Sequence, residues 1–106
     1  MSLPHATSGQ LIDLSSGDAS HFSSIALVNS PTLEVIRLTL PADKAMPLHK
    51  VAGEITFQCL SGCIQFSTTG NSHDLRSGQM IYLAGGELHA LLALEDSVAL
   101  LTIFRA

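Results

Sequence analysis

Turn-forming residues interrupt this chain at short intervals, and that feature limits its fold more than any other. Gly, Pro, Asn, Asp and Ser separate apolar runs of roughly four to eight residues, and no run keeps the 3.6-residue period of an amphipathic helix. Such spacing is typical of antiparallel sandwiches and barrels, so we predict an all-β chain. The predicted strands lie at 10–14, 23–29, 33–40, 54–60, 63–69, 72–75, 79–84, 88–94 and 97–104.

The size and composition favour one small folded domain. The chain has 106 residues, of which 46% are apolar and 13% charged, so we expect a single domain over 1–106 with its core at about 33–104. A net charge of -4 argues against nucleic-acid or anionic-membrane partners. The first residues do not resemble a signal peptide, and no apolar run approaches the roughly 20 residues of a membrane span. We therefore expect a cytoplasmic protein.

One predicted hairpin fixes which side chains share a face. If Ser61-Gly62 is a two-residue turn, Phe57 faces Phe66. Cys59 then lies on the apolar face and Cys63 on the polar face, so the sequence predicts two free thiols rather than a disulfide. The predicted apolar face consists of Ile55, Phe57, Cys59, Ile64 and Phe66.

The last two predicted strands are apolar on both faces. The runs 88–94 and 98–104 contain few polar residues, and a strand that is apolar on both sides is covered on both sides. A second copy of the chain would provide that cover. We therefore expect a symmetric homodimer, with the N-terminal strands of residues 10–30 in its interface. The alternative is that those strands cover the surface within one chain.

Two segments resemble the sequence motifs of the cupin family. They are 48–62 and 77–89, and the glycines and histidine that fall at family positions are Gly62, Gly78, Gly86 and His89. The motifs and their spacer span about 40 residues, and 60–62 reads Leu-Ser-Gly, similar to the Leu-Glu-Gly turn of the family. The resemblance implies a double-stranded β-helix, a jelly-roll barrel with an interior site.

The same alignment implies a reduced metal centre. His49 takes the first ligand position and His89 the last, but Val51 and Ile55 stand where the family has its second histidine and its glutamate. Ala84 replaces the family's proline. Valine and isoleucine cannot bind a metal, so His49 and His89 are the remaining ligands.

Three other residues are candidates to complete the site. Glu54 could supply a carboxylate if a β-bulge at Gly53 turned it inward. A His49/His89 site completed by Glu54 or by water could hold one divalent ion of iron, manganese, zinc or nickel. Cys59 could supply a thiolate, although a small buried hydrophobic role fits it better. His73 would point inward beside Thr68 if Gly70-Asn71 were a two-residue turn; a solvated histidine at the barrel rim is the alternative.

The first functional hypothesis is a barrel that binds a small molecule inside, with a reduced metal site. Apolar walls and two convergent histidines suit a small organic ligand, and an anionic ligand would bind less tightly as rising pH neutralised the histidines. The alternative is a metal-dependent enzyme, dioxygenase-like or isomerase-like, with a His49/His89 centre, and a third hypothesis is a regulatory or structural module. The predicted ligand pocket consists of His49, Val51, Ile55, Phe57, Tyr82 and His89.

Overall fold

The structure is a computed structural model that describes residues 5–15 and 18–105. These residues form strands, turns and irregular segments, and none of them forms a helix that could cross a bilayer. The strands are β1 (Ser23–Asn29), β2 (Leu33–Leu40), β3 (Ala45–His49), β4 (Ile55–Ser61), β5 (Cys63–Thr68), β6 (Asn71–Arg76), β7 (Met80–Leu83), β8 (His89–Ala93) and β9 (Ser97–Phe104).

The strands form two antiparallel sheets. The five-stranded sheet has the order β1-β2-β9-β4-β7, and the four-stranded sheet has the order β3-β8-β5-β6. The chain changes sheet at six of its eight connections; only β1–β2 and β5–β6 are neighbours in one sheet. The all-β prediction is confirmed, and eight of the nine predicted strands coincide with observed ones to within a residue or two.

The core lies between the inward faces of the two sheets. Side chains alternate along each strand, so every second residue faces the core. Phe57 from the five-stranded sheet packs against Phe66 from the four-stranded sheet, with ring centroids 5.0 Å apart. All five residues of the predicted apolar face are buried: Ile55, Phe57, Cys59, Ile64 and Phe66.

The predicted hairpin between β4 and β5 is wrong, because the two strands belong to different sheets. Gly62 turns the chain from one sheet to the other with φ +88°, and a Cβ there would lie 2.3 Å from the Oγ of Ser97. The next predicted register is also shifted: Thr68 pairs with Asn71, so His73 lies opposite Phe66 rather than Thr68. Alternation therefore gave the correct buried faces, but the partner predicted for β4 is wrong and the register predicted between β5 and β6 is shifted.

Both cysteines are free thiols in the structure, as predicted. Cys63 lies on the same side of its strand as Gln65, yet only 4% of it is exposed, so its surroundings are not the polar face that the sequence suggested.

The N-terminal segment crosses the outer face of β2 without forming the strand predicted at 10–14. The guanidinium of Arg37 donates to the carbonyl of Asp13 over 3.2 Å, and the hydroxyl of Thr39 donates to the carbonyl of His21 over 2.9 Å. Arg37 and Thr39 are consequently buried although they point away from the core. This segment covers part of the outer face within one chain.

The sequence analysis did not predict β3, because Pro47 and the exposed positions of this strand hide the alternation of apolar and polar residues.

Candidate functional site

His49 and His89 lie side by side at one end of the barrel. His49 ends β3 and His89 begins β8, and the two residues are direct partners in the four-stranded sheet. A bulge at Pro47 and Leu48, between Met46 and His49, returns His49 to the inward face. The ring centroids are 4.2 Å apart and the ring planes are tilted by 58°. The structure thus brings together the two histidines that the sequence singled out.

Backbone carbonyls fix the same tautomer in both rings. The Nδ1 of His49 lies 3.0 Å from the carbonyl oxygen of Pro47, and the Nδ1 of His89 lies 3.1 Å from that of Glu87. A carbonyl oxygen only accepts, so each Nδ1 carries a proton, and in a neutral ring of this tautomer Nε2 is the acceptor. Within the described part of the chain neither Nε2 has a hydrogen-bond partner, and neither is sealed from solvent.

The surroundings of His89 keep its ring neutral. The residue is only 4% exposed, and its ring stacks on Phe66 at a centroid distance of 5.5 Å. Burial lowers the pKa of His89, and neighbouring His49 acts in the same direction, against the opposing hydrogen bond to the Glu87 carbonyl. At neutral pH the Nε2 of His89 is therefore a hydrogen-bond acceptor.

Two loops packed against each other hold the histidines in place. The loop 50–54 follows His49, the loop 84–88 precedes His89, and the N–H of Gly86 donates to the carbonyl of Val51 over 2.8 Å. A Cβ at Gly85 would lie 2.2 Å from the carbonyl oxygen of Ala52. Glycine at this position lets the two backbones approach more closely than a side chain would allow.

The predicted pocket is present only in part. Ile55 and Phe57 are almost fully buried and belong to the core beneath the histidines, and Val51 packs against that core. Tyr82 is misplaced in the prediction. It pairs with Thr56 on the outer face of the five-stranded sheet and is 57% exposed, so it does not line the interior.

The sequence missed a cavity of about 430 Å³ at the same end of the barrel. Glu34 faces inward from β2, opposite Ile103, and its carboxylate lies 3.7 Å from the guanidinium of Arg105. The alternation of β2 could have predicted that Glu34 faces inward, because Glu34 lies on the same side of the strand as Ile36, Leu38 and Leu40. No local pattern predicts the position of Arg105, since that position depends on which strands are neighbours in the sheet. The lining residues are Glu34, Val51, Ala52, Gly53, Ile103 and Arg105.

Solved structures show which fold this is. No protein-family model and no curated protein matches the chain. A conserved protein of unknown function from Streptococcus pyogenes superposes with a TM-score of 0.83 at 21% identity, covering 100% of this chain and 96% of that one. A cupin superfamily protein from Desulfitobacterium hafniense gives 0.82 at 13% identity over 100% of both chains. An RmlC-like cupin with a double-stranded β-helix fold, from Methanocaldococcus jannaschii, gives 0.78 at 14% identity over 93% of each chain. This chain has the cupin fold.

Proteins with the cupin fold have several different activities. The matches include a DMSP lyase from Ruegeria pomeroyi at 22% identity and salicylate 1,2-dioxygenase from Pseudoaminobacter salicylatoxidans at 20% identity. This chain matches only 47% and 26% of those two chains. Similarity at this level establishes the fold, and the activity must be argued from the site.

The cupin barrel does not bring Glu54 to the two histidines. Glu54 is exposed, and its carboxylate accepts a hydrogen bond from the hydroxyl of Tyr82 on the outer face. Zinc and non-haem iron sites use at least three protein ligands. In the described ranges no group of three or more His, Cys, Asp or Glu side chains is placed to hold a metal ion.

The remaining candidate ligands are also placed elsewhere. The Cys59 thiol donates to the carbonyl of Ser61 over 3.4 Å, and burial raises its pKa, so it stays protonated as a buried hydrophobic residue. His73 is exposed on the edge strand β6, which agrees with the solvated alternative. The donor set that the described residues bring together therefore does not fit a resident metal ion, and the Nε2 atoms of the two histidines remain without a partner.

Proposed function

We propose that this cupin binds a small, uncharged organic molecule through its hydroxyl groups at the histidine pair. The observation that carries the proposal is that the Nε2 atoms of His49 and His89 have no hydrogen-bond partner. The hydrogen bond from each Nδ1 to a backbone carbonyl favours the tautomer in which Nε2 accepts. Ligand hydroxyls would donate to these nitrogens. The short distance of 4.2 Å between the ring centroids supports one small molecule with two hydroxyl groups that bonds to both rings.

The charge state of the site supports a neutral ligand over an anion. An anion would need protonated histidines, whereas burial lowers the pKa of His89. The apolar core beneath the rings suits the carbon skeleton of the ligand. The proposed setting is the cytoplasm, where the free thiols of Cys59 and Cys63 would remain reduced. The proposal assigns binding and no reaction, because the donor set gives no support to the metal-dependent alternative.

The test is calorimetric titration with polyols, monosaccharides and catechols, each paired with its methyl ether, which cannot donate. We expect binding of some hydroxyl compounds and none of their ethers. His49→Phe and His89→Phe keep a ring but remove the acceptor, so each should lose the binding. His73→Phe makes the same change at an exposed histidine and should bind as the parent protein does.

Two outcomes would overturn the proposal. One is that no hydroxyl compound binds, and the other is that both histidine variants bind with the parent affinity. Nitrogen NMR of the parent protein provides an independent measurement of the tautomer. A proton on Nε2 of either ring in the free protein would remove the acceptor on which the proposal depends.

A further inference from the structure

The cavity between β2, β9 and the loop 50–54 contains two opposite charges that the proposed function does not use. Its volume of about 430 Å³ is enough for a small molecule. Glu34 lines it from β2, and Arg105 lines it directly after β9. Among the described residues its lining includes neither His49 nor His89, so it is a second candidate site at the same end of the barrel.

The two charged groups lie close together but leave most of their hydrogen-bonding capacity unused. The Oε2 of Glu34 lies 3.7 Å from the Nη2 of Arg105, which is longer than a hydrogen bond. Nη2 also donates to the Oδ1 of Asn29. Within the described ranges nothing donates to the Glu34 carboxylate, and the Nε and Nη1 of Arg105 have no acceptor. Both groups can therefore bind a ligand.

The surroundings leave both charges accessible while withdrawing them partly from water. The side chain of Glu34 is 26% exposed and that of Arg105 is 42% exposed. A ligand can reach both groups from solvent and place a carbon skeleton against the rest of the wall. That wall consists of Val51, Ala52, Gly53 and Ile103.

We propose that this cavity binds a free aliphatic α-amino acid in its zwitterionic form. The ligand carboxylate accepts from the N–H groups of Arg105 that Asn29 leaves free, and the ligand ammonium group donates to the Glu34 carboxylate. Both ligand groups are attached to one carbon atom, so they can face the two side chains at once. The four charges then alternate in sign, and each lies next to opposite charges.

The opposite charges of Glu34 and Arg105 disfavour ligands that carry only one charge. A simple carboxylate at Arg105 would lie beside the Glu34 carboxylate, which repels it, and a simple amine at Glu34 would be repelled by Arg105. A neutral diol could reach both groups, but its hydrogen bonds would be charge-assisted from the protein side alone. The apolar wall favours an aliphatic side chain on the ligand.

The test is calorimetric titration of the full chain with leucine, leucinamide and N-acetylleucine. Leucinamide lacks the carboxylate and N-acetylleucine lacks the ammonium group, so each should bind at least about tenfold more weakly than leucine. Glycine has no side chain to place against the apolar wall and should also bind more weakly.

Matched variants locate the binding. Glu34→Gln and Arg105→Met should each weaken leucine binding at least about tenfold, with little loss of stability because the ion pair is partly exposed. Glu95→Gln and Arg76→Met make the same changes at exposed residues outside the cavity lining and should bind leucine as the parent does. Circular dichroism checks that all four variants fold.

The histidine variants separate this inference from the proposed function. His49→Phe and His89→Phe should lose the hydroxyl ligand but bind leucine with the parent affinity, since neither residue lines the cavity. Loss of leucine binding in these variants, if folded, would overturn the inference, because the ligand would then lie at the histidine pair. So would the absence of leucine binding at millimolar concentration, equal binding of leucine and its two derivatives, or parent affinity in Glu34→Gln and Arg105→Met.

Discussion

The ring of His89 is enclosed by neighbouring side chains, whereas the ring of a histidine in water takes up a proton freely. Phe66 stacks on one face, His49 lies beside it, and only 4% of the residue is exposed. Protonation would place a charge in this apolar setting, so the pKa of His89 is lower in the folded chain than in the unfolded one.

This shift predicts a stability that depends on pH. Below about pH 6.5, the ordinary value for histidine, the unfolded chain gains a proton that folded His89 resists. The free energy of unfolding should therefore fall as pH drops, until the pH passes the lowered pKa of folded His89. Urea denaturation between about pH 8 and 5 measures this. His89→Phe should lose less stability over that range than the parent protein, and His73→Phe should behave as the parent does. Parallel curves for the parent and His89→Phe would contradict the assignment.

The donor set of the site predicts a low metal content. Two imidazoles without a third ligand bind divalent ions weakly, so untagged protein purified without chelator should carry far less than one metal ion per chain. The double variant His49→Ala/His89→Ala should give the same elemental analysis. Stoichiometric metal in the parent that the double variant lacks would show that another ligand completes the site.

The sequence predicted the site where the information was local. His49 and His89 were found because glycine turns and histidines agreed with cupin spacing. Tyr82 was misplaced because Ile81 and Tyr82 are both plausible inward residues, and only the pairing of Ile81 with Phe57 decides between them. The Glu34–Arg105 contact was beyond reach, since it depends on β2 and β9 being neighbours.

At the scale of the strands, Gly62 shows why alternation is predictable and pairing is not. A period of two along β4 and β5 needs only the local sequence. The hairpin also satisfied local rules, because Ser-Gly suits a tight turn. The structure uses the same residues as a corner, where Gly62 touches the first residue of β9: its Cβ would lie 2.5 Å from the carbonyl of Asp96 as well as close to Ser97.

Alanine substitutions at Gly62 and Gly70 should separate two losses of unfolding free energy. One comes from steric contacts at this corner, and the other comes from the left-handed backbone angle. Gly62 and Gly70 have nearly equal φ values of +88° and +91°, but a Cβ at Gly70 meets nothing within 4 Å. Gly70→Ala should cost about 1–2 kcal/mol of unfolding free energy, from the left-handed backbone alone. Gly62→Ala should cost more, because Ser97 and the backbone before it must move. Urea denaturation measures both, and equal losses would show that the corner relaxes freely.

At the scale of the molecule, neither sheet is a continuous piece of the chain. Strand order was available from the sequence only through the cupin resemblance, because apolar patterns do not specify which strands are neighbours.

Since six connections run between the sheets, we expect the sheets to unfold together. Tyr82 is the only tyrosine and tryptophan is absent, so its fluorescence reports on the five-stranded sheet. The proton NMR signal of His89 reports on the other sheet. Their denaturation midpoints should coincide, and separate midpoints would show that the sheets are independent.

The position of β9 also determines when the protein can fold as it is synthesised. Among the nine strands of the described residues β9 is synthesised last, yet it is the middle strand of the five-stranded sheet, between β2 and β4. Until it leaves the ribosome, β1–β2 and β4–β7 are two separate ribbons, each with an exposed apolar edge. The nascent chain must therefore keep its half-formed sheet away from other chains until β9 is made, and premature termination before residue 97 would leave both ribbons open to aggregation.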